Sequence, residues 1–304
     1  MCDFSFLTNL SLSNNIAFNY SDIESNQHAN PISSPDGTLT HASCKYFDIF
    51  DFATNVKPKL VNNNSLNVLC FNIRSIRDKW LKFKDLISFN GVCPFDVIGL
   101  TETWLSDNDD TSDFLLPGYQ IIHMPRRLTK CSGGISLYIR SNVNFTRLSE
   151  CESIFSIQIN LRCIYSIIVN IVIGQNSYIL SLFYKPPPFP TSCFCNLFDD
   201  FSNFINLPHK KAIVLGDFNC NLLNVGKNIE SDTFFESVTA SGLLPTIYFP
   251  SRVDPVRSTL TLIGNIFVST SLGSDLNLKY NIFGSFRPLS YLLVNTFATT
   301  TSTL

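Results

Sequence analysis

The sequence predicts an α+β fold or a layered α/β/α sandwich. Many short apolar runs typical of buried strands alternate with two or three amphipathic helices, a pattern expected of sheets covered by helices. The chain has 304 residues, 45% of them hydrophobic, which suits one large domain or two small ones. Its longest apolar stretch, residues 163–174, has about twelve residues, whereas a membrane span takes about twenty. Buried strands are therefore the better interpretation.

Residues 1–64 differ from the rest of the chain. They are rich in Asn and Ser and show little apolar periodicity apart from a patch near residues 46–52. We expect a loosely ordered leader over residues 1–64 and a folded domain over residues 65–304. A docked N-terminal extension is the alternative interpretation of the leader.

The first half of the predicted domain consists mostly of strands. One helix is expected at RDKWLKFKDLISF, residues 77–89, where Trp80, Leu81, Lys84 and Ile87 are near helical spacing. The strands are predicted at LNVLCFNI (66–73), DVIGLTETWL (96–105), GGISLYIR (133–140) and SIFSIQINL (153–161).

The second half begins with two long strands, at residues 163–173 and 177–185, joined by a strong hairpin signal in GQNS. A helix over residues 193–207 follows, and its apolar face is expected to hold Phe194, Leu197, Phe198, Phe201, Phe204 and Ile205. The remaining elements are a strand at AIVLGDF (212–218), a helix at DTFFESVTASG (232–242) and strands at LTLIGNIFVS (260–269) and PLSYLLVNTF (288–297).

Polar residues at the ends of these apolar strands are the candidate functional residues. A strand end delivers a polar side chain to the rim of a sheet without burying it unsatisfied. Each such residue also has an ordinary structural interpretation as a turn former or a cap. The residues are Asn72, Glu102, Tyr184, Asp217 and Asn219.

Five motifs occur in a fixed order: FNIRSI, LTETWL, SGGISLYI, LFYKPPP and VLGDFN. Together they resemble the endonuclease/exonuclease/phosphatase superfamily, in particular the apurinic-type endonuclease domain of non-LTR retrotransposons. PGY at 117–119, Arg126 before Gly133 and Gly134, and FPSRV followed by TLTLIGNIF add to the resemblance, which covers about residues 66–297. It implies a four-layered α/β/β/α sandwich with two facing mixed sheets and an active site at one rim.

The resemblance also implies cleavage of a phosphodiester with a divalent metal, Mg²⁺ or Mn²⁺. By position, Glu102 would hold the metal with Asn72 beside it, and Asp217 would orient or deprotonate the attacking water. Asn219 and Tyr184 would contact phosphate oxygens. Oxygen ligands of this kind suit Mg²⁺, which neutralises charge on the phosphate.

The C-terminal part of the pattern departs from the family. Gly264 stands where relatives have an Asp that orients the catalytic His, and the closing S-D-H-x-P motif reads GSFRP. Ser285 therefore replaces an Asp, and Phe286 replaces the His itself. None of the four histidines in the chain stands at a matching position. Because a positioned acid–base group contributes roughly 10²- to 10⁴-fold, we expect catalysis to be severely reduced or absent.

Cationic residues are the candidate substrate contacts. Arg287 could reach a phosphate, although it cannot replace a base. Arg74 is the first residue of a local basic cluster. The ordinary interpretation of this cluster is a solvated helix face, and the functional interpretation is contact with a DNA backbone. The cluster also contains Arg77, Lys79, Lys82 and Lys84.

Composition limits the partners and the compartment. The formal net charge is −2, so DNA is a possible partner only through a local cleft, and neither a membrane nor an oligomer is indicated. The ten cysteines show no zinc-ligand spacing, and no secretory signal is evident. Reduced thiols and a cytoplasmic or nuclear location follow as expectations.

Three functions remain open from the sequence. The first is an endonuclease-like, metal-dependent phosphodiesterase domain of retrotransposon origin with impaired catalysis. The second is a non-catalytic remnant or a scaffold that binds nucleic acid or protein. The third is a phosphatase of the same fold, which no residue specifically supports.

Overall fold

A computed structural model describes residues 46–47, 52–61, 65–88, 91–127, 132–160, 162–248, 250–254, 259–272, 279–286 and 290–298. The helices are a π-helical turn at Phe52–Val56, α1 Lys57–Val61, α2 Ile76–Ile87, α3 Ser149–Ile154, α4 Thr191–Ile205 and α5 Ile229–Ala240. The strands are β1 Tyr46–Phe47, β2 Ser65–Asn72, β3 Val97–Thr101, β4 Tyr119–Met124, β5 Ile135–Arg140, β6 Asn144–Arg147, β7 Gln158–Ile159, β8 Arg162–Cys163, β9 Tyr165–Ile173, β10 Asn176–Tyr184, β11 Ala212–Asp217, β12 Leu243–Pro245, β13 Arg252–Asp254, β14 Thr259–Thr261, β15 Gly264–Ser269, β16 Lys279–Phe286 and β17 Ser290–Ala298.

The strands form two large mixed sheets. The first sheet has the order β1-β16-β17-β2-β3-β5-β4, and the second has the order β12-β15-β11-β10-β9-β6. Most neighbours are antiparallel. The exceptions are β1 with β16 and β2 with β3 in the first sheet, and β10 with β11 in the second. Two short hairpins, β7–β8 and β13–β14, lie outside these sheets.

Three apolar clusters separate four layers. One cluster lies between the sheets, a second packs α1 and α2 on the first sheet, and a third packs α3, α4 and α5 on the second. Gly99 of β3 allows the sheets to approach closely, because a Cβ there would lie 2.6 Å from Cδ1 of Leu215 on β11. The α/β/β/α sandwich predicted from the sequence is confirmed. Within the described residues, no helix is long and apolar enough to span a bilayer.

Two of the parallel strand pairs, β2–β3 and β10–β11, end at one rim of the sandwich. Asn72 at the end of β2 pairs with Thr101 at the end of β3, and Tyr184 at the end of β10 pairs with Asp217 at the end of β11. Since neighbouring parallel strands end at the same edge, each sheet presents two carboxyl ends side by side. Ligands of open α/β sheets commonly bind outside such ends.

Some predicted elements differ from the structure. Residues 153–161 were expected to form one strand, but they hold the end of α3 and the two-residue strand β7. The strand expected over residues 260–269 is divided into β14 and β15. On α4 the Phe-rich face is buried as far as Phe201, whereas Phe204 is 60% exposed. The apolar face of α2 is likewise made by Ile76, Trp80, Phe83 and Ile87, with Leu81 outside it.

Part of the predicted leader packs on the folded domain. Phe52, Val56 and Leu60 are buried in the cluster beneath α2. The Lys57 ammonium donates to the main-chain oxygen of Ser88 at 2.8 Å, just beyond the last turn of α2. Residues 52–61 thus pack on the domain as the alternative interpretation of the leader, a docked N-terminal extension, would have them do.

Candidate active site

The rim brings four of the predicted residues into direct contact. The amide nitrogen of Asn72 donates to Oε1 of Glu102 at 2.9 Å and to Oδ2 of Asp217 at 2.7 Å. The Tyr184 hydroxyl donates to Oε1 of Glu102 at 3.3 Å. Asn72 therefore bridges a carboxylate from each sheet, and the network joins residues that are 145 positions apart in the chain.

The loop after β3 places the Glu102 side chain. Glu102 has a positive φ of 54°, and its carbonyl accepts a hydrogen bond from the N–H of Ser75 at 3.0 Å. The following residue, Thr103, donates its N–H to the carbonyl of Gly134. Gly133 is required beside this loop, because a Cβ there would lie 2.4 Å from the hydroxyl of Tyr165. The GG pair thus permits the close packing that fixes the LTETWL loop.

Burial and neighbouring charge set the protonation of Asp217. The residue is 6% exposed. Burial first, and then the negative charge of Glu102, raise its pKa to about 6, while hydrogen bonds from Asn72 and Asn219 and the charge of Arg74 oppose that rise. A carboxyl with this pKa is mostly ionised at pH 7 and readily accepts a proton, as a general base should.

Tyr184 and Asn219 flank Asp217. Burial, followed by the charges of Glu102 and Asp217, raises the pKa of Tyr184, so its hydroxyl keeps its proton and acts as a donor. Asn219 has a positive φ of 49°; its N–H donates to Oδ1 of Asp217 at 3.2 Å, and its side-chain amide donates to the carbonyl of Lys185 at 2.8 Å. The described residues leave one amide hydrogen and the amide oxygen of Asn219 for a ligand.

In the predicted basic cluster, one residue lines the cleft at the rim, and most of the others contact neighbouring parts of the fold. Arg74 lies in the cleft beside Asn72 and Asp217. By contrast, Arg77 pairs with Asp109, Lys79 donates to the carbonyl of Ile73, and Lys84 lies over the ring of Trp80. Lys82 is exposed.

The departures from the family pattern fall near the same rim. Gly264, the first residue of β15, pairs directly with Asp217. Ser285 and Phe286 end β16, and Phe286 pairs with Ser290 at the start of β17. Since β17 runs antiparallel to β2, its start lies at the edge where β2 ends in Asn72. Arg287, the other predicted phosphate contact, lies outside the described residues.

Sequence reasoning gave no role to two residues that line the cleft, Ser251 and Arg252. The Ser251 hydroxyl oxygen accepts the N–H groups of Ile263 and Gly264 at 3.0 Å each, and so supports the strand that carries Gly264. FPSRV was part of the sequence resemblance, so the motif was visible. The roles were not, because the contacts depend on a hairpin whose position the sequence does not give.

The rim offers oxygen donors that fit a divalent cation of the Mg²⁺ type. Two carboxylates, Glu102 and Asp217, face one amide, Asn72. The Oδ1 atom of Asn72 is buried and accepts no hydrogen bond from the described residues, so a hard acceptor is available. Mg²⁺ commonly takes one or two carboxylates and keeps several waters. Among the described residues, no group of three or more His, Cys, Asp and Glu side chains offers an alternative metal site.

His123 on β4 has no part in this network, and its environment predicts a pH effect on stability. Its Nδ1 lies 2.7 Å from the hydroxyl oxygen of Ser136, and burial lowers its pKa. The unfolded chain therefore takes up a proton near pH 6.5 that the folded chain resists. We expect the free energy of unfolding to fall below pH 6.5, by at most about 1.4 kcal/mol per pH unit from this group.

Urea denaturation of the native chain and of His123→Gln between pH 8 and pH 5 measures this contribution. Other groups titrate in both proteins, so the difference between the two curves is the quantity of interest. The difference in free energy of unfolding between the two proteins should be constant above pH 7. Below pH 6.5 the variant should lose less stability than the native chain. Parallel curves over the whole range would contradict the prediction.

The sequence comparisons assign the family. The sequence model of the Endonuclease/Exonuclease/phosphatase family matches residues 65–260, more than half of the chain. The chain therefore belongs to this family, as the motifs predicted. No curated protein sequence matches it significantly.

Several solved structures have a similar fold. The endonuclease domain of TRAS1, a telomere-specific non-LTR retrotransposon, is 11% identical with a TM-score of 0.57, over 77% of this chain and 99% of its own. AP endonuclease LMAP from Leishmania major is 13% identical with a TM-score of 0.57, over 77% and 88%. The human Nocturnin catalytic domain is 15% identical with a TM-score of 0.54, over 78% and 94%. At these identities the likeness concerns the fold.

Proposed function

We propose that this chain is an endonuclease-like, divalent-metal-dependent phosphodiesterase domain of retrotransposon origin, with impaired catalysis and DNA as its substrate. The observation that carries the proposal is the hydrogen-bonded contact of Asn72, Glu102 and Asp217 at the rim of a member of this family. The similarity in fold to a retrotransposon endonuclease domain supports the origin. A cytoplasmic or nuclear location remains part of the proposal.

The proposed roles follow from the geometry. Glu102 and Asn72 would hold Mg²⁺ or Mn²⁺, which supplies neutralisation of the charge that builds on the phosphate. Asp217 orients the attacking water and accepts its proton. Tyr184 donates its hydroxyl, and Asn219 its remaining amide hydrogen, to phosphate oxygens.

The expectation of impaired catalysis rests on the same rim. In the family an Asp orients the catalytic His. This chain has Gly264 at the position of that Asp, opposite Asp217, and Phe286 at the position of the His. A glycine has no group that can donate or accept a proton through its side chain. This observation also favours the second candidate function, a non-catalytic remnant that keeps the fold and binds nucleic acid or protein.

Nicking of supercoiled plasmid in the presence of Mg²⁺ separates the two candidates. We expect slow nicking by the native chain and a loss of at least about tenfold in Glu102→Gln, because the variant lacks the carboxylate charge that binds the metal. Glu236→Gln is the matched control, since Glu236 is exposed on α5 and lies outside the rim. Nicking that survives in Glu102→Gln contradicts the proposal, and a native chain that never nicks favours the remnant.

A further inference from the structure

Tyr165, the first residue of β9, lies beside two groups that support the Glu102 side chain. It pairs directly with Tyr184 across β9 and β10, and its hydroxyl packs against Gly133. Both tyrosine side chains are buried. We infer that Tyr165 is a positioning residue, which holds the carboxylate of Glu102 in place through Tyr184 and through Gly133.

The first of these contacts is with the ring of Tyr184. The ring centroids of Tyr165 and Tyr184 are 5.9 Å apart, with 43° between the ring planes. Aromatic rings at this distance attract each other. The Tyr184 hydroxyl donates to Oε1 of Glu102 at 3.3 Å. Because a packed ring has few rotamers open to it, Tyr165 limits where the hydroxyl that binds Glu102 can lie.

The second contact is with the segment that carries Gly133. The Tyr165 hydroxyl oxygen accepts the main-chain N–H of Arg127 at 3.2 Å. A Cβ at Gly133 would overlap this hydroxyl, so glycine lets the tyrosine pack there. The carbonyl of Gly133 accepts the N–H of Trp104 at 3.0 Å, two residues after Glu102. Tyr165 therefore packs on the main chain that holds the loop after Glu102.

The loop after β3 depends on this support because its main chain is strained. Glu102 and Trp104 have positive φ angles of 54° and 60°, a region that residues other than glycine enter at a cost. Besides the bond from Trp104, the N–H of Thr103 donates to the carbonyl of Gly134 at 3.0 Å. Since a strained loop relaxes when its partner moves, the position of Glu102 depends on the segment that Tyr165 contacts.

The inference rests on the proposed function, because it concerns the carboxylate that would hold the metal. Residues that orient a metal ligand commonly affect metal affinity without binding the metal themselves. The structural alternative is that Tyr165 only fills the apolar cluster between the sheets, to which it belongs. A positioning role predicts a local change at the loop when the hydroxyl is removed, whereas a filling role predicts none.

Hydrogen–deuterium exchange of the metal-free chain, followed by mass spectrometry, separates the two roles. We expect Tyr165→Phe to speed exchange of the Thr103 and Trp104 amides at least about twofold, as the loss of a weak hydrogen bond changes a local opening equilibrium. The amides of β15 should exchange as in the native chain.

Tyr138→Phe is the matched control. It also removes one buried hydroxyl, which donates to the carbonyl of Phe114 at 3.0 Å, and it should leave the Thr103 and Trp104 amides unchanged. The inference would be overturned if Tyr165→Phe did not speed exchange of these amides. It would also be overturned if Tyr138→Phe sped their exchange equally, or if the amides of β15 sped up as much in Tyr165→Phe.

The affinity for Mn²⁺, measured by electron paramagnetic resonance, is the second readout. We expect Tyr165→Leu, which lacks both the ring and the hydroxyl, to bind Mn²⁺ about tenfold more weakly than the native chain. Tyr165→Phe keeps the ring and should recover most of that loss. A Tyr165→Leu variant that thermal melts show to be folded, and that binds Mn²⁺ as the native chain does, would overturn the inference. A native chain that binds no Mn²⁺ would contradict the proposed function instead, and the exchange experiment would still decide the role of Tyr165.

Discussion

The triple variant Gly264→Asp/Ser285→Asp/Phe286→His is expected to nick supercoiled plasmid about 10²- to 10⁴-fold faster than the native chain in Mg²⁺. This is the contribution that a positioned acid–base group makes in an enzyme. The remaining residues of the rim, Asn72, Glu102, Tyr184 and Asp217, are already in contact or adjacent. Under the proposed function, the substitutions would add the family's Asp and His to side chains that already lie together at the rim.

The main chain is compatible with these substitutions. Gly264 is the first residue of an extended strand and is not among the residues with positive φ, so an Asp meets no backbone strain there. Its pairing with Asp217 places a new carboxylate at the rim. The register of β17 against β2, with Leu293 opposite Cys70, brings the start of β17 to the same edge, and Phe286 pairs with Ser290 there.

Single and partial variants are informative controls. Residues of one catalytic constellation act as a unit, so their effects do not add. We expect Phe286→His alone to gain much less than the triple variant, because no carboxylate at position 264 orients the new imidazole. Adding Glu102→Gln to the triple variant should remove the gain. A triple variant that is folded and remains inactive would show that the C-terminal motif has been aligned incorrectly.

The candidate site residues could be proposed from the sequence because the ends of apolar strands are readable in it. Asn72, Glu102 and Asp217 each follow an apolar run, and the order of the motifs places them in one family. What the sequence could not show is how the runs pair. Asn72 contacts Asp217 only because β2 and β11 belong to facing sheets. The two residues are 145 positions apart, and no local sequence pattern indicates that they meet.

Predictions failed where a local pattern had two physical solutions. SIFSIQINL has the apolar content of a strand, but its first two residues complete α3. Phe155, directly after the helix, packs against Phe183 at a ring distance of 4.8 Å. Phe204 has the spacing of the buried face of α4, but the helix ends one residue later and the Phe204 side chain is 60% exposed. Tertiary packing decided both cases.

The weak periodicity of residues 1–64 likewise concealed a short packed segment. Phe52, Val56 and Leu60 are spaced by four, a helical repeat too short to stand out in an Asn-rich stretch. They become buried because α2 and the first sheet leave an apolar surface for them. The ammonium of Lys57, bound to the carbonyl of Ser88, adds a contact that composition alone does not indicate.

Arg140→Met is expected to lower the free energy of unfolding by about 3 kcal/mol, as the loss of one partner of a buried ion pair does. The Arg140 guanidinium donates to Oδ1 of Asp96 at 2.9 Å and to the carbonyls of Cys93 and Phe95 at 2.6 and 2.8 Å. Asp96 and Arg140 have side chains that are only 21% and 28% exposed. Without Arg140, the Asp96 carboxylate loses its counter-charge in a poorly solvated position.

Urea denaturation at pH 7 measures this loss, with Arg77→Met as the control. Arg77 is half exposed in its pair with Asp109, and such pairs contribute about 0–1 kcal/mol. The double variant Asp96→Asn/Arg140→Met should recover part of the stability, because the unpaired charge has gone. Equal losses for Arg140→Met and Arg77→Met would contradict a special role for the buried pair.

The pH dependence of the Arg140→Met effect identifies its cause. Burial raises the pKa of Asp96 even though Arg140 opposes that rise, so removal of Arg140 raises the pKa further. A carboxyl whose folded pKa is raised destabilises the folded chain at neutral pH, and the penalty disappears as pH falls through that pKa toward the unfolded value near 3.9. The difference between native and variant should therefore shrink between pH 7 and pH 4. A difference that stays constant would assign the loss to packing and to the hydrogen bonds lost at the Cys93 and Phe95 carbonyls, since neither depends on pH.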